Sequence, residues 1–154
     1  MTIRSVISAT GSYLPEKIMS NADLERIVDT SDEWIVQRSG IRNRHISNDT
    51  ETAGYMATKA AQKALEMAGT DASDIDGIIV ATTTADRTFP SVAVQVQHAI
   101  GAPVGVAFDV QAVCSGFVYA LSVADSMMKT GMLKRVLVIG AERMSSILNW
   151  EDRT

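Results

Sequence analysis

The chain has 154 residues, 46% of them hydrophobic, enough for a sizeable core in one α/β unit and too few to require a second. Fourteen basic residues stand against eighteen acidic ones, for a net charge of −4, and no long run of either sign argues for a nucleic-acid or membrane-surface binder. One cysteine excludes an internal disulfide, "MTIRSVISAT" lacks the apolar core of a signal peptide, and no apolar run approaches bilayer-spanning length, so the expectation is a cytoplasmic protein with small-molecule or protein partners.

In chain order, "SVISATGSYLP" reads as a strand, its β-branched residues running into Gly11 and Pro15. Two short helices follow. Asn21 is placed to cap "ADLERIV", and Ser31 to cap "DEWIVQR", where Asp32 and Glu33 complement the helix dipole and Gly40 closes the turn. A longer helix spans "TETAGYMATKAAQKALEMAG": Ala53, Met56, Ala57, Ala60, Ala64, Leu65 and Ala68 recur at helical spacing between a Thr52 cap and a Gly69 stop. Its apolar face is mostly alanine, which permits close approach to a sheet.

Three short unbroken apolar runs, in "IDGIIVATTT", "VGVAFDV" and "KRVLVIGA", have the character of buried parallel strands. Between the first two, "SVAVQVQHAIG" fits either period. Val92, Val94 and Val96 alternate as in a strand, whereas a Ser91 cap and a Gly101 stop fit a helix, which is the preferred reading. "CSGFVYALSVADSMMKTG" sets Phe117, Leu121, Ala124 and Met128 on one helical face and ends at Gly131. Right-handed crossovers join such strands into one mostly parallel sheet, and ligands bind beyond the carboxyl ends of its strands.

Cys114 falls at that end, where "VGVAFDV" gives way to a helix. A thiol at a helix start faces backbone N–H groups and the positive end of the dipole, which favour thiolate and can stabilise an oxyanion; Ser115 and Gly116 keep the approach open. The alternative is an inert buried hydrophobe, the commoner fate of a lone cysteine. His45 and His98, the only histidines, sit in a basic loop and a helix, where solvated or locally bonded roles are expected. No calcium-loop spacing, metal-ligand cluster or glycine-rich phosphate loop is present.

Four blocks, "GSYLPEKIMSNADLERIVDTSDEWIVQRSGIRNRHI", "IIVATTTADRTFPSVAVQVQHAIG", "AFDVQAVCSGFVYALSVAD" and "EDRT", together resemble the N-terminal half of β-ketoacyl-acyl-carrier-protein synthase III. The resemblance implies a thiolase-like α/β fold, in which one helix-flanked, mostly parallel sheet is half of a layered αβαβα subunit that forms a homodimer. It implies that Cys114 accepts an acyl group from acyl-coenzyme A and that malonyl-acyl-carrier protein is condensed onto it, with no resident cofactor and no metal. Trp34, Arg38 and Arg153 match positions at the coenzyme A entrance, Thr30 does so more loosely, and Phe89 matches a residue that limits the partner subunit's acyl pocket. Local core is the competing reading for Phe89 and for Trp34. A histidine and an asparagine complete the family's site from a C-terminal half that this sequence does not reach. The condensing reading stands against two others, a non-catalytic acyl-binding or scaffold protein of the same fold and an unrelated cysteine hydrolase; the latter needs a histidine placed beside the thiol.

Overall fold

The computed structural model describes residues 4–152. In chain order its elements are strand β1 (Ile18–Ser20), helices α1 (Asn21–Leu24) and α2 (Asp32–Ser39), strand β2 (Asn43–His45), helix α3 (Ala53–Ala68), strand β3 (Gly77–Ala81), helix α4 (Val92–Ile100), strand β4 (Val106–Val110), helix α5 (Gly116–Lys129) and strand β5 (Val136–Gly140). Where length suggested a single unit, they divide into two: Met1–Tyr13 with Thr52–Glu142, and Leu14–Glu51 with Arg143–Thr154.

The first unit is built on the three apolar runs. They form a parallel sheet of order β4-β3-β5, with Gly77 opposite both Val106 and Val136, and Ala81 opposite both Val110 and Gly140. Side chains alternate across a strand, so β3 feeds two cores. Ile78 and Val80 pack with Ala57 and Ala61 of α3, Val92, Ala93 and Val96 of α4, and Leu137 and Ile139 of β5. Ile79 and Ala81 face Ala120 and Ala124 of α5 on the other side. The unit is therefore a helix–sheet–helix sandwich. "SVAVQVQHAIG" is helical: the Ser91 side chain accepts from the Val94 N–H, and Gly101 ends the helix at φ 73°. Burial of Val92, Ala93 and Val96 on one face replaces the alternation that a strand would have used.

Two expectations fail here, for related reasons. Residues 5–11 form no strand, and Val6 and Ile7 are 83% and 78% exposed. β-propensity makes a strand only where another backbone edge lies within hydrogen-bonding reach. Here the segment and β5 instead flank a groove of about 720 Å³. The segment is held at its ends, with Ser5 Oγ donating to Asp125 Oδ1 at 2.8 Å and Gly11 lying directly on the backbone of α3. The same groove takes Phe117, Leu121 and Met128, so the buried stripe of α5 is Gly116, Ala120 and Ala124 rather than the face drawn through the larger residues. Small residues bring the helix onto the sheet.

In the second unit β1 pairs antiparallel with β2, Ile18 opposite His45 and Ser20 opposite Asn43. These three-residue strands carry too short a pattern to be read from sequence. The cap of α1 is Ser20, not Asn21, in a reciprocal box with Asp23. Asn21 is buried instead. Its amide donates to Asp32 Oδ1 at 2.7 Å and to the Ile41 carbonyl at 2.9 Å, and its oxygen accepts from Arg44. Ser31 and Gly40 cap α2 as expected, and Arg143 ties the return segment to Ser47, Asn48 and Asp49.

Candidate functional site

Cys114 lies in a single 3₁₀ turn, Val113–Ser115, between the carboxyl end of β4 and the start of α5. It is exposed, so the buried-hydrophobe reading does not describe it. The chain reaches it through unusual backbone. Val113 has φ 46°, a left-handed conformation in which a β-branched side chain crowds its own backbone. Gly116 follows; a Cβ there would sit 3.3 Å from the Ala81 Cβ, so glycine lets the helix start close against the end of β3. The Ser115 N–H donates to the Ala112 carbonyl at 3.0 Å, and the Gly116 N–H to that of Val113. Those two donors, expected to be open toward an acyl oxygen, are used to make the turn.

A 3₁₀ turn that closes on Ala112 and Val113 holds the thiol at a tight bend, accessible and with little backbone freedom. Strained φ values next to an accessible nucleophile are a recurring feature of functional sites, because the surrounding fold must hold the conformation. Nothing in the sequence near "AVCSGF" announces the sign of φ at Val113. A different signal was available for Asp109, a carboxylate inside the otherwise apolar "VGVAFDV". A charge in a half-buried strand demands partners. Asp109 finds two, accepting the Val92 and Ala93 N–H groups at 2.8 Å each.

Phe89 sits in the loop between β3 and α4 and is 81% exposed, which removes its reading as local core. In the second unit, Trp34 and Arg38 occupy successive turns of α2, with the Arg38 guanidinium 4.7 Å from the indole centroid. Trp34 is 43% exposed rather than core. Thr30 immediately precedes the Ser31 cap and is half-buried. Arg153 lies outside the described residues. Cys114 and Phe89 thus belong to the first unit, and Thr30, Trp34 and Arg38 to the second. His45 bonds through Nδ1 to the Pro15 carbonyl at 2.6 Å, and His98 is exposed on the last turn of α4, as expected for locally bonded and solvated histidines. Among the described residues no group of three or more His, Cys, Asp or Glu side chains could hold a metal ion, and no helix is long and apolar enough to cross a membrane.

A parallel sheet covered on both faces, with a cysteine at a strained strand-to-helix turn, has the architecture of one layer set of the thiolase-like condensing enzymes. Comparison with known proteins narrows the class. Residues 108–154 match the family model described as 3-oxoacyl-[acyl-carrier-protein (ACP)] synthase III. Over all 154 residues the chain is 59% identical to a β-ketoacyl-[acyl-carrier-protein] synthase III of Novosphingobium aromaticivorans, covering 47% of that protein. The crystal structure of 3-oxoacyl-[acyl-carrier-protein] synthase III from Aquifex aeolicus superposes with a TM-score of 0.92 at 52% identity, over 96% of this chain and 47% of that one. The Thermus thermophilus synthase III gives 0.91 at 42% identity, over 97% and 46%. Over its described length the chain is similar to the β-ketoacyl-acyl-carrier-protein synthase III proteins, and it spans about half the length of the curated relatives it matches.

Proposed function

We propose that the protein primes fatty-acid synthesis as a condensing acyltransferase, with Cys114 as its acyl carrier. The exposed thiol at the bend between β4 and α5 carries this reading. Deprotonated, the sulfur attacks the thioester carbonyl of an acyl-coenzyme A; the coenzyme thiolate leaves and takes up a proton, and the acyl group remains as an enzyme thioester. Malonyl-acyl-carrier protein then loses carbon dioxide, its carbanion attacks the Cys114 thioester, and the sulfur departs as thiolate to leave a 3-oxoacyl-carrier protein. No resident cofactor enters this sequence of bond changes.

Trp34 and Arg38 serve the coenzyme rather than the chemistry. A planar guanidinium stacked on an indole offers a flat surface to an adenine ring and a cation to phosphate. Thr30 and Arg153 belong to the same entrance. Phe89, exposed on its loop, reaches the acyl pocket of a second copy in a homodimer. The condensing step draws its histidine and asparagine from the portion of the family's length beyond these residues, a C-terminal half that is a partner in the chemistry. The setting is the cytoplasm.

The test is covalent. Incubating the full-length protein with acetyl-coenzyme A should add one acetyl group, and the peptide that carries it should contain Cys114. A Cys114→Ala protein that is acetylated or that condenses at the native rate would overturn the assignment, and a native protein that takes up no acyl group would favour a non-catalytic acyl-binding role.

A further inference from the structure

The loop that carries Phe89 has almost no apolar packing to hold it. From Ala85 to Pro90 all residues but Asp86 are exposed, and Phe89 is the most exposed aromatic side chain among the described residues. Yet the loop is fastened at its start, its middle and its end, each time by a carboxylate that receives two consecutive backbone N–H groups. At its start, Glu142, just beyond β5, accepts from Thr83 N at 2.8 Å and Thr84 N at 3.1 Å, and also from Thr84 Oγ1 at 2.5 Å. In the middle, the loop's own Asp86 accepts from Ala53 N at 2.8 Å and Gly54 N at 2.9 Å, the first residues of α3. At its end, Asp109 of β4 accepts from Val92 N and Ala93 N, where the loop enters α4.

We propose that Glu142, Asp86 and Asp109 are positioning residues that make the Thr82–Ser91 loop a rigid arm for Phe89, and that through it they set the acyl-chain selectivity of a second copy of the chain. The proposal rests on the reading of Phe89 as a wall of that copy's acyl pocket. Hydrogen bonds to a carboxylate are shorter and stronger than neutral ones, and two donors on the two oxygens of one carboxylate fix both direction and distance. An amide in the same place keeps one acceptor and turns an NH₂ donor toward the second N–H, so Gln or Asn breaks half of each clamp without changing its size. Asp109 has a further consequence. It stands five residues before Cys114 on the strand that leads to it, so one short segment sets both where the nucleophile emerges and where the Phe89 loop ends. A pocket wall supplied by a mobile aromatic would discriminate poorly among chain lengths, because discrimination by one methylene is small even in a well-formed site.

The experiment uses the full-length protein with Glu142→Gln, Asp109→Asn and Phe89→Ala. The readouts are the ratio of kcat/KM for acetyl- over hexanoyl-coenzyme A and amide hydrogen exchange across residues 83–94. Glu142 is exposed, so Glu142→Gln preserves the test if Asp109→Asn does not fold. The expected result is that Phe89→Ala shifts the ratio, and that both clamp variants shift it in the same direction by about threefold or more while exchange in 83–94 accelerates. Clamp variants with unchanged exchange would overturn the proposal, and so would faster exchange with an unchanged ratio while Phe89→Ala still shifts it. A ratio unmoved by Phe89→Ala itself would overturn the reading of Phe89 beneath it, and with it the selectivity role of the clamps.

Discussion

Arg38 lays its guanidinium 4.7 Å from the centroid of the Trp34 indole, one turn earlier on α2. The two side chains are four apart, the spacing that brings helical neighbours together, and the pair is solvent-facing. A cation over an aromatic face is worth about 0.5–2 kcal/mol, the scale on which the Arg38 guanidinium could hold a bound aromatic ring. On the proposed coenzyme-entrance reading, replacing either residue with alanine in the full-length protein should raise KM for acyl-coenzyme A by roughly threefold to thirtyfold and leave kcat within about twofold. Steady-state kinetics separate the two terms; a collapse of kcat at an unchanged KM would place the pair in the chemistry instead.

Gly11 meets α3 more closely than any side chain allows. A Cβ at this position would lie 2.2 Å from the Ala60 carbonyl oxygen and 2.4 Å from the Ala64 nitrogen, both backbone atoms with no rotamer to yield. Gly11→Ala should cost about 1–3 kcal/mol as overpacking, which lowers the melting temperature by roughly 3–10 °C for a chain of this size. Gly40 is the comparison. It has φ 71° and nothing within 4 Å of its would-be Cβ, so Gly40→Ala carries only the left-handed backbone cost of about 1–2 kcal/mol. Thermal melts should place Gly11→Ala at or below Gly40→Ala, and exchange at residues 5–11 should rise only in the former.

The contrast between residues 5–11 and 77–81 explains how much of the fold was legible. Both segments read as strands, but "GIIVA" is apolar on both faces and every residue of it is buried, so its neighbours follow from composition. "SVISATG" has a strand's propensities and no adjacent edge, and pairing is a property of two segments at once. Helix ends were readable because caps act within four residues, as Ser31, Thr52 and Ser91 show. Asn21 was misread because a good capping residue and a buried amide hub look alike in sequence, and only the approach of Asp32, Ile41 and Arg44 distinguishes them. At the site, the cysteine's place between strand and helix was legible. The left-handed Val113 was not, since its conformation is imposed by what the bend must join.

Asp125 makes a pH-dependent tie between α5 and the N-terminal segment. Its carboxylate accepts from Lys129 Nζ at 2.6 Å and Ser5 Oγ at 2.8 Å, and these hydrogen bonds, Lys129's first, hold its pKa below the usual value of 3.8. A depressed carboxylate contributes stability that is fully present above the ordinary value and is lost as pH falls through the folded one. Carboxyl NMR titration should therefore give Asp125 a midpoint below 3.8, with Lys129→Ala raising it more than Ser5→Ala. Amide exchange at residues 5–9, corrected for intrinsic rates, should accelerate only once pH drops below that midpoint. A midpoint at the ordinary value in the native protein, unmoved by either substitution, would remove the tie.

Val113 is the residue at which stability and the proposed acylation of Cys114 should trade against each other. Its φ of 46° is costly for a β-branched side chain, on the order of 1–3 kcal/mol, whereas glycine adopts it freely at an entropic cost of about 0.5–1 kcal/mol. Val113→Gly should therefore stabilise the chain by about 1 kcal/mol, raising its melting temperature by roughly 2–4 °C. The same change frees the residue next to Cys114 to sample both signs of φ. A nucleophile displaced by about 1 Å can lose on the order of a hundredfold in rate, so even partial loss of the bend should slow acylation of Cys114 by about tenfold. Melting curves and the rate of acetyl uptake from acetyl-coenzyme A, measured on the same full-length variant, decide the matter. A variant that is more stable and slower supports a bend held against its own preference, whereas one that melts lower and acylates at the native rate would show that the left-handed turn stores no strain and positions nothing.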